Sequence, residues 1–356
     1  MSNGRLSARG RAVNGKTLVA MSGGVDSSVA AFLIKEGGAS CGGAVMRLFA
    51  AEGGCEDARR VALRMGIPFY IFDLTDEFSG AVIDDFIAAY RRGATPNPCV
   101  VCNRLMKFGI FFERAGELGY DFMATGHYAQ IFFDSGAKRW GLKKGADESR
   151  DQSYVLYSLT QKQLSCTLFP LGALTKAQVR DIALANSFDN AKKRESQDIC
   201  FVPDGDYASF IERRTGEPLR CGDFVDASGR VLGRHRGVER YTIGQRRGLG
   251  LSLREPLYVC AKRAEENVVL LGRDEELYSK SFTASKINLI ACERITAPLR
   301  VKVKIRYRAR EERATVEQIS DDGIHVEFDE PQRAVTPGQA AVLYDGECVV
   351  GGGTID

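Results

Sequence analysis

The stretch Ser22-Gly23-Gly24-Val25-Asp26-Ser27-Ser28 follows an apolar run at 17–21 and leads into a segment, 26–36, with apolar residues at helical spacing. The apolar run predicts a buried β-strand, and the periodic segment predicts an α-helix. A glycine-rich turn at this place lets an anion approach the backbone, and the serine hydroxyls and helix N-terminus add hydrogen-bond donors. Asp26 can coordinate a magnesium ion that bridges phosphates. The stretch therefore predicts a phosphate-binding loop, in preference to a Gly-Ser turn capped by Asp26.

Strand and helix patterns alternate through the first half of the chain. Further strands are predicted at 44–49, 68–74 and 121–125, and helices at 56–65, 77–92 and 104–118. Such alternation indicates a parallel sheet covered by helices on both faces. After about Gly205 the pattern changes to short strands separated by glycines, and from Phe282 onward it is entirely β.

The expected fold class is therefore α/β, with a parallel-sheet domain followed by two small β domains, the last a β-barrel. A length of 356 residues exceeds one ordinary domain. We predict a basic N-terminal tail at 1–16, the α/β domain at 17–210, a central β domain at 211–280 and the barrel at 281–356.

Composition limits the class of protein. The residues are 44% hydrophobic with a net charge of +3, so contact with nucleic acid must rest on local clusters of positive charge. No apolar run is long enough to span a bilayer, and the basic first sixteen residues lack the apolar stretch of a secretory signal. Ten cysteines without such a signal indicate a reducing compartment. We expect a cytoplasmic protein with no membrane partner, whose tail is a disordered segment rather than a transit peptide.

One cysteine pair lies in the stretch Thr95-Pro96-Asn97-Pro98-Cys99-Val100-Val101-Cys102-Asn103-Arg104, where two prolines restrict the backbone. We predict Asn103 as a helix N-cap, which would place Cys102 beside a helix N-terminus. A thiol in that position ionises more easily, and Arg104 and Lys107 would add to the effect. The pattern predicts a reactive Cys102.

A third cysteine, Cys200, lies in Ser196-Gln197-Asp198-Ile199-Cys200-Phe201, directly after the cationic run Lys192-Lys193-Arg194. Inert buried thiols are one interpretation of these cysteines. A zinc site is another, but the chain has no second Cys-x-x-Cys and only three histidines. Redox or sulfur-transfer chemistry fits the proline-bounded placement best. Spacing alone leaves open a persulfide mechanism or an iron–sulfur cluster held by Cys99, Cys102 and Cys200.

A basic segment near the C-terminus is the clearest candidate for RNA contact. In residues 300–310 the basic residues occupy every even position, and most odd positions are apolar. On a strand this would place six cations on one face, where a phosphate backbone would relieve their repulsion. The alternative is a solvated face paired with neighbouring acids such as Glu311 and Glu312. Tyr241 and Tyr307 could stack on bases, although tyrosines in β domains are more often core residues. Further basic patches are predicted at 192–194, 234–236 and 241–248.

Taken together, these stretches resemble the tRNA-specific 2-thiouridylases, over nearly the whole chain from about Lys16 to Thr354. The loop lacks the lysine of a Walker motif and the three glycines of a dinucleotide fingerprint, and it resembles the PP-loop of the ATP pyrophosphatases. The segments that carry the family resemblance are 21–28, 95–102, 124–128, 151–154, 168–172, 198–201, 241–250 and 335–339. Any one is weak evidence, but eight in the same order are specific.

The resemblance implies a reaction in which ATP adenylates O2 of the wobble uridine of a tRNA, giving an AMP leaving group. A persulfide on Cys200 then delivers sulfur, Cys102 assists its release, and a Cys102–Cys200 disulfide is left to be reduced. The implied sulfur source is a cysteine desulfurase or a sulfur-relay protein, and the implied substrates are the tRNAs for lysine, glutamate and glutamine.

The resemblance also assigns binding residues. Those for ATP are Ala20, Met21, Ser22, Gly23, Gly24, Val25, Asp26, Ser27, Met46 and Gly126, with magnesium held by Asp26 through the phosphates. Those for the target base are Asn97, Pro98 and Cys99. Those for tRNA are His127, Arg150, Asp151, Gln152, Arg306, Tyr307 and Gln339.

The residue at position 99 differs between members of the family that this chain resembles. Some members have an aspartate there with an assigned acid–base role, and others have a cysteine, as in this chain. The cysteine puts the acid–base role in doubt and keeps the cluster alternative open, although we favour the persulfide.

Two rival functions remain. One is a PP-loop synthetase acting on a small metabolite, which would need neither the cysteines nor the basic segment. The other is a non-catalytic RNA-binding protein with a relic nucleotide fold.

Overall fold

The computed structural model describes residues 15–49, 53–188, 190, 199–252 and 254–356. Most of the predicted basic tail, the cationic run at 192–194 and the stretch at 196–198 lie outside the described residues. No helix in the described ranges is long and apolar enough to cross a membrane.

The secondary structure follows the predicted change from α/β to β along the chain. The strands are β1 (Thr17–Ala20), β2 (Cys41–Arg47), β3 (Phe69–Asp73), β4 (Phe122–Ala124), β5 (Ala129–Asp134), β6 (Arg139–Lys144), β7 (Thr167–Leu168), β8 (Gly222–Val225), β9 (Val231–His235), β10 (Tyr258–Arg263), β11 (Val268–Gly272), β12 (Tyr278–Leu289), β13 (Leu299–Lys304), β14 (Glu312–Ser320), β15 (Gly323–Arg333), β16 (Ala340–Asp345) and β17 (Cys348–Ile355). The α-helices are α1 (Val25–Glu36), α2 (Gly53–Met65), α3 (Thr75–Phe78), α4 (Asp84–Arg91), α5 (Pro98–Val101), α6 (Phe111–Glu117), α7 (Gln161–Ser165), α8 (Lys176–Ala185) and α9 (Tyr207–Thr215).

A five-stranded sheet, ordered β3-β2-β1-β4-β7, forms the centre of the first domain. Its pairings are all parallel. Successive side chains of β1 enter different cores: Leu18 packs in a cluster with Phe108, and Val19 packs in one with Val29. The chain runs from β1 to β2 and β3 on one side and then to β4 on the other. The carboxyl ends of β1 and β4 therefore flank a topological switch point, where open α/β sheets bind ligands.

The helix predicted at 104–118 begins earlier than expected and contains a π-helical segment. α5 begins at Pro98, a π-helix spans Cys102–Ile110, and α6 follows without a break. Asn97 is the N-cap, since its side chain accepts a hydrogen bond from Cys99 N (3.2 Å). Proline is favoured at the first helical position because its missing N–H would be unpaired there anyway. The prediction of Asn103 as the cap was wrong: Asn103 is 2% exposed and its amide donates to Val155 O.

Two β units follow, as predicted. The first is a four-stranded sheet ordered β10-β11-β8-β9, with Tyr241 in its core. The second is closed by the pairing of β12 with β17, which joins β12-β15-β14-β13-β16-β17 into a six-stranded barrel. The predicted α/β sheet followed by two β units, the last a barrel, is confirmed. The sequence did not indicate that the hairpin β5–β6, from the first domain, pairs with β17 and extends the barrel sheet.

The prediction of six cations on one strand face was wrong. β13 ends at Lys304, and a turn closed by Ala309 N donating to Arg306 O follows. Only the cations at 300, 302 and 304 share the strand. Ile305 is buried in the barrel core like Val301 and Val303, but it lies beyond the end of β13, and Arg308 and Arg310 are exposed in the segment that follows.

Gly172 allows the loop before α8 to pack against β5. A Cβ at this position would lie 1.9 Å from Ala129 O, a backbone atom that cannot move alone. We predict that Gly172→Ala lowers the free energy of unfolding by at least about 2 kcal/mol, as overpacking of a tight contact does. Chemical denaturation measures the change. Gly116→Ala is the control, because a Cβ there meets no atom within 4 Å; equal stability of the two variants would contradict the prediction.

Candidate active site

The loop 22–28 is held by its own side chains at the carboxyl end of β1. Ser27 Oγ accepts from Ser22 N (3.1 Å) and donates to Gly24 O (3.0 Å), and Ser28 Oγ donates to the same carbonyl. Gly23 has a φ of 75°, and a Cβ there would lie 2.4 Å from Gly54 O at the start of α2. Only glycine fits this position, on grounds of both backbone conformation and space. The serine hydroxyls thus shape the loop in this state.

Asn190 anchors the loop from the other side, and sequence reasoning missed it. Its amide donates to Gly23 O (3.0 Å) and to Ser28 Oγ (2.9 Å). The side chain is 6% exposed, and its Oδ1 has no hydrogen-bond partner among the described residues. A lone asparagine outside any motif gives no sequence signal. Its position ties the loop to the segment that continues toward Cys200.

Gly126 and Met46 lie at the same edge of the sheet as the loop. A Cβ at Gly126, just beyond β4, would be 2.8 Å from the backbone carbon of Asp26, so this glycine permits backbone-to-backbone contact across the switch point. Met46, near the end of β2, is half-buried. Ala20 ends β1, whereas Met21 and Val25 are buried and can offer a ligand little beyond their backbone groups. The structure therefore brings the predicted nucleotide residues together.

The Asp26 carboxylate is already hydrogen-bonded. Lys176 Nζ lies 2.7 and 2.8 Å from its two oxygens, and Tyr128 OH donates to Oδ1 (2.8 Å). Oxygen donors suit magnesium, so the loop's carboxylate and hydroxyls fit the predicted ion. Lys176 begins α8, and sequence reasoning did not identify it.

The three predicted cysteines lie near one another and near Lys107. Cys99 and Cys200 are exposed, Cys102 is half-buried, and all ten cysteines are free thiols. Desolvation by the surrounding protein, and then the proximity of Cys102 and Cys99, raise the pKa of Cys200 to about 11. Desolvation also raises the pKa of Cys99 and of Cys102, while Lys107 acts in the opposite direction on both. A neutral thiol is the resting form of each.

The prediction that Cys102 sits beside a helix N-terminus and ionises easily was wrong. Cys102 follows the first turn of α5 and opens the π-helical segment, so its thiol is past the N-terminal N–H groups. Lys107 is the cation that acts on it, and Arg104 is not among the causes of its pKa shift. Cys99, in the first turn of α5, is closer to the helix end than Cys102.

The thiols do not form a ready metal site. Across residues 15–49, 53–188, 190, 199–252 and 254–356, no group of three or more His, Cys, Asp or Glu side chains is arranged to hold a metal ion. Cys99, Cys102 and Cys200 as placed therefore do not form a ready site for a single metal ion.

His127 holds Lys107 rather than facing solvent. Its Nδ1 lies 2.6 Å from Thr125 Oγ1 and its Nε2 lies 3.5 Å from Lys107 Nζ. Burial, and then Lys107, lower the pKa of His127 well below its usual value. A neutral ring beside an ammonium must accept at Nε2, so the proton is on Nδ1 and donates to Thr125. With 7% of its surface exposed, His127 offers little area for the predicted contact with tRNA.

Both β units contact the segment just before the cysteine helix. Thr95 N donates to Pro337 O (2.8 Å), and Gln339 Nε2 donates to Thr95 O (2.7 Å). Lys262, on β10, donates to Ala94 O (3.2 Å). Burial lowers the pKa of Lys262 to about 8. Gln339, predicted to contact tRNA, is thus bound to this segment in the structure.

Three further residues that are predicted to contact tRNA, Asp151, Gln152 and Tyr307, lie together near Cys99. Gln152 exchanges two hydrogen bonds with the backbone of Tyr128, and the Asp151 carboxylate accepts from Gly145 N and from Ser153. Tyr307 OH donates to Asp151 O (3.1 Å). Desolvation, then Asp151 and more weakly Cys99, raise the pKa of Tyr307, which places the barrel beside the cysteine site. Arg150 is half-buried, and Arg306 donates to Arg333 O.

The predicted basic patches differ in how much of their charge is paired. Arg300 forms two 2.7 Å hydrogen bonds with Asp329, and Arg234 pairs with Asp223. Arg308 and Arg310 are exposed, and neither has an ion-pair partner in the part of the chain that the structure describes. The better candidates for RNA contact are therefore Arg308 and Arg310, on the turn after the strand, rather than the cations of the strand itself. Arg246 and Arg247 of the patch at 241–248 are exposed as well.

Comparison with known proteins agrees with this geometry. Family models match three consecutive parts of the chain: a tRNA methyl transferase HUP domain at 15–204, a tRNA methyl transferase PRC-barrel domain at 208–273 and an aminomethyltransferase beta-barrel domain at 279–355. A tRNA-specific 2-thiouridylase MnmA from Acetivibrio thermocellus is 47% identical over 354 residues, which cover 96% of this chain and 99% of that protein. The enzyme of the same name from Clostridioides difficile is 45% identical over 356 residues, covering 97% and 99%.

Among solved structures, one similar protein is the U34-tRNA thiolase NcsA from Methanococcus maripaludis. The alignment covers 56% of this chain and 66% of the NcsA chain, at 20% identity and a TM-score of 0.36. That alignment adds nothing to the assignment, which rests on the near full-length identity. The chain belongs to the tRNA-specific 2-thiouridylase family.

Proposed function

We propose that this protein uses ATP to convert the wobble uridine of tRNA to 2-thiouridine, releasing AMP and pyrophosphate. The observation that carries the proposal is that the predicted nucleotide site and the cysteine site are neighbours at one edge of the sheet. Met46, on the nucleotide side, and Cys102 pack against the same cluster of Leu74, Phe78, Val82 and Met106, as does Phe201, the neighbour of Cys200. A nucleotide on the loop and a base at the thiols would therefore be neighbours.

The first step activates the base. Uridine O2 attacks the α-phosphorus of ATP, and pyrophosphate leaves with the electron pair of the broken bond. The loop's backbone N–H groups and the positive end of α1 bind the phosphates. Asp26 and the loop hydroxyls would be the oxygen donors for magnesium, which would supply further positive charge at this site. Asn97 and Pro98 precede Cys99 at the start of α5, where the base would lie.

The second step delivers sulfur. The terminal sulfur of a Cys200 persulfide attacks C2 of the adenylated uridine, and AMP leaves with the electron pair of the C2–O bond. The Cys102 thiolate then attacks the Cys200 sulfur, which forms a disulfide and leaves the second sulfur on the base. A reductant must return the disulfide to two thiols. Lys107 is the nearby cation that favours the anionic sulfur in each step.

The finer assignments belong to the same proposal. A cysteine desulfurase or relay protein would load the exposed Cys200, and the substrates would be the tRNAs for lysine, glutamate and glutamine. A tRNA substrate and ten free thiols suit the cytoplasm. Tyr307, Arg308 and Arg310 lie on the turn that would meet the tRNA backbone. The boundaries 17–210, 211–280 and 281–356 remain proposed domain limits.

Loss of the Cys200 thiol should separate the two steps. Cys200→Ser is expected to abolish 2-thiouridine formation and to retain tRNA-dependent pyrophosphate release, because the persulfide acts only after adenylation. Mass spectrometry of digested tRNA and a pyrophosphate assay on the same samples measure the two products. Cys221→Ser, at another exposed cysteine, is the control. Full thiolation by Cys200→Ser would contradict the proposed mechanism.

The raised pKa of Cys200 predicts how its reactivity depends on pH. Below a pKa of about 11 the thiolate fraction, and with it the rate of alkylation by iodoacetamide, should rise about tenfold per pH unit. Lys107 lowers that pKa, so Lys107→Gln should slow Cys200 alkylation at each pH between about 7 and about 9. Peptide mass spectrometry follows Cys200 specifically. A rate that is flat with pH, or unchanged by Lys107→Gln, would show that this description of the thiol is wrong.

The turn after β13 should contribute to tRNA affinity through charge. We expect the double substitution of Arg308 and Arg310 to glutamine to weaken tRNA binding and to reduce the dependence of log Kd on log salt concentration by about 2, or about one per lost phosphate contact. Filter binding at several salt concentrations measures the slope. Arg300→Gln is the matched control, because Asp329 already neutralises that guanidinium. An equal slope for the double variant and wild type would exclude the turn from the interface.

A further inference from the structure

The contact between Lys176 and Asp26 places a buried cation directly on the nucleotide loop. The Lys176 side chain is 9% exposed, whereas that of Asp26 is 30% exposed. Solvent, and with it a nucleotide, therefore reaches the pair from the side of the aspartate. No role assigned to the loop so far accounts for this ammonium.

The backbone of Lys176 is fixed by two neighbouring elements. Its N–H donates to Asp147 Oδ2 (2.9 Å), and Thr175 with Gln178 forms a reciprocal capping box at the start of α8. The long side chain is then the part that can change partner. Tyr128 OH donates to Asp26 Oδ1 independently, so Asp26 keeps a hydrogen bond if the ammonium moves.

The electrostatics of the loop create a need for such a cation. The stretch 22–28 contains an aspartate and no lysine or arginine. A triphosphate approaching an unneutralised carboxylate would be repelled, and a departing pyrophosphate gains negative charge that preorganised cations stabilise. The ammonium of Lys176 could reduce the repulsion of the triphosphate and also stabilise the charge on the departing pyrophosphate.

We propose that Lys176 is a catalytic residue of the activation step, whose ammonium contacts the β- and γ-phosphates of ATP and stabilises the departing pyrophosphate. The bond from uridine O2 to the α-phosphorus forms, the bond from that phosphorus to the bridging oxygen breaks, and pyrophosphate takes its electron pair. The N3 proton of the base passes to water, and Lys176 neither gives nor takes a proton. The inference rests on the ATP-dependent activation proposed above.

Replacing the ammonium by an apolar chain of similar length tests the contact. Lys176→Met is expected to slow tRNA-dependent pyrophosphate release about 100-fold or more, as loss of one preorganised charge-stabilising group does. It should weaken ATP binding about tenfold or more, the scale of a hydrogen bond between charged groups. AMP binding should be unchanged, because AMP lacks the phosphates that Lys176 contacts. Titration calorimetry with ATP and with AMP measures the two affinities. Lys176→Arg, which keeps the charge, should recover part of the loss.

Lys35→Met is the matched control, because Lys35 lies at the far end of α1 and donates to Met65 O rather than to the loop. Equal losses of ATP and AMP affinity in Lys176→Met would show that the lysine only maintains the shape of the loop and would overturn the proposal. Wild-type rates in that variant would do the same. Failure of the wild-type protein to release pyrophosphate with tRNA would instead count against the proposed function itself.

Discussion

The parallel pairing of β1 with β4 is the constraint on which the rest of the site depends. It aligns Leu18 with Met123 and Val19 with Ala124, so the segments that follow the two strands leave the sheet side by side. Gly126 can then touch the backbone of Asp26, a contact that any Cβ would push apart. His127 and Tyr128 follow directly, and they position Lys107 and Asp26 respectively. One strand pairing thus places both the nucleotide loop and the cation of the thiol site.

The two β units act on the chemistry through the backbone at 94–97. Lys262 from one unit and Gln339 from the other bind consecutive carbonyls of the segment that leads into α5. A Cβ on Gly338 would lie 3.1 Å from Thr95 N, so the barrel loop and the segment are in direct backbone contact. Movement of either β unit would be transmitted to Asn97 and the helix that carries Cys99 and Cys102. This is a physical link between the β units that we propose to contact tRNA and the cysteines that we propose to transfer sulfur.

The sequence predicted the elements of the first domain better than the partners of its side chains. Apolar runs and glycine-rich turns are local signals, so the strand before the loop and the helix after it were found close to their observed bounds. The predicted start of the cysteine helix is too late, because a proline before a helical pattern can either restrain the approach or be the first helical residue, as Pro98 is. The alternation at 300–310 predicts one strand, but it does not reveal that strand pairing ends at Lys304. Lys176 and Asn190 were missed because their roles depend on contacts more than a hundred residues away.

The raised thiol pKa values and the ammonium of Lys107 together indicate an order of events for the proposed mechanism. A thiol whose pKa is about 11 stays neutral at physiological pH, so the resting thiols do not place several anions beside Lys107. A persulfide is a stronger acid than the thiol from which it forms, so loading sulfur onto Cys200 creates the first anion there, and Lys107 can stabilise it. In the proposed mechanism that anion would further disfavour ionisation of Cys102, whose pKa desolvation already raises, until the negative sulfur has passed to the base. Desolvation and repulsion by a charged persulfide would together make Cys102 the second of the two proposed nucleophiles to ionise.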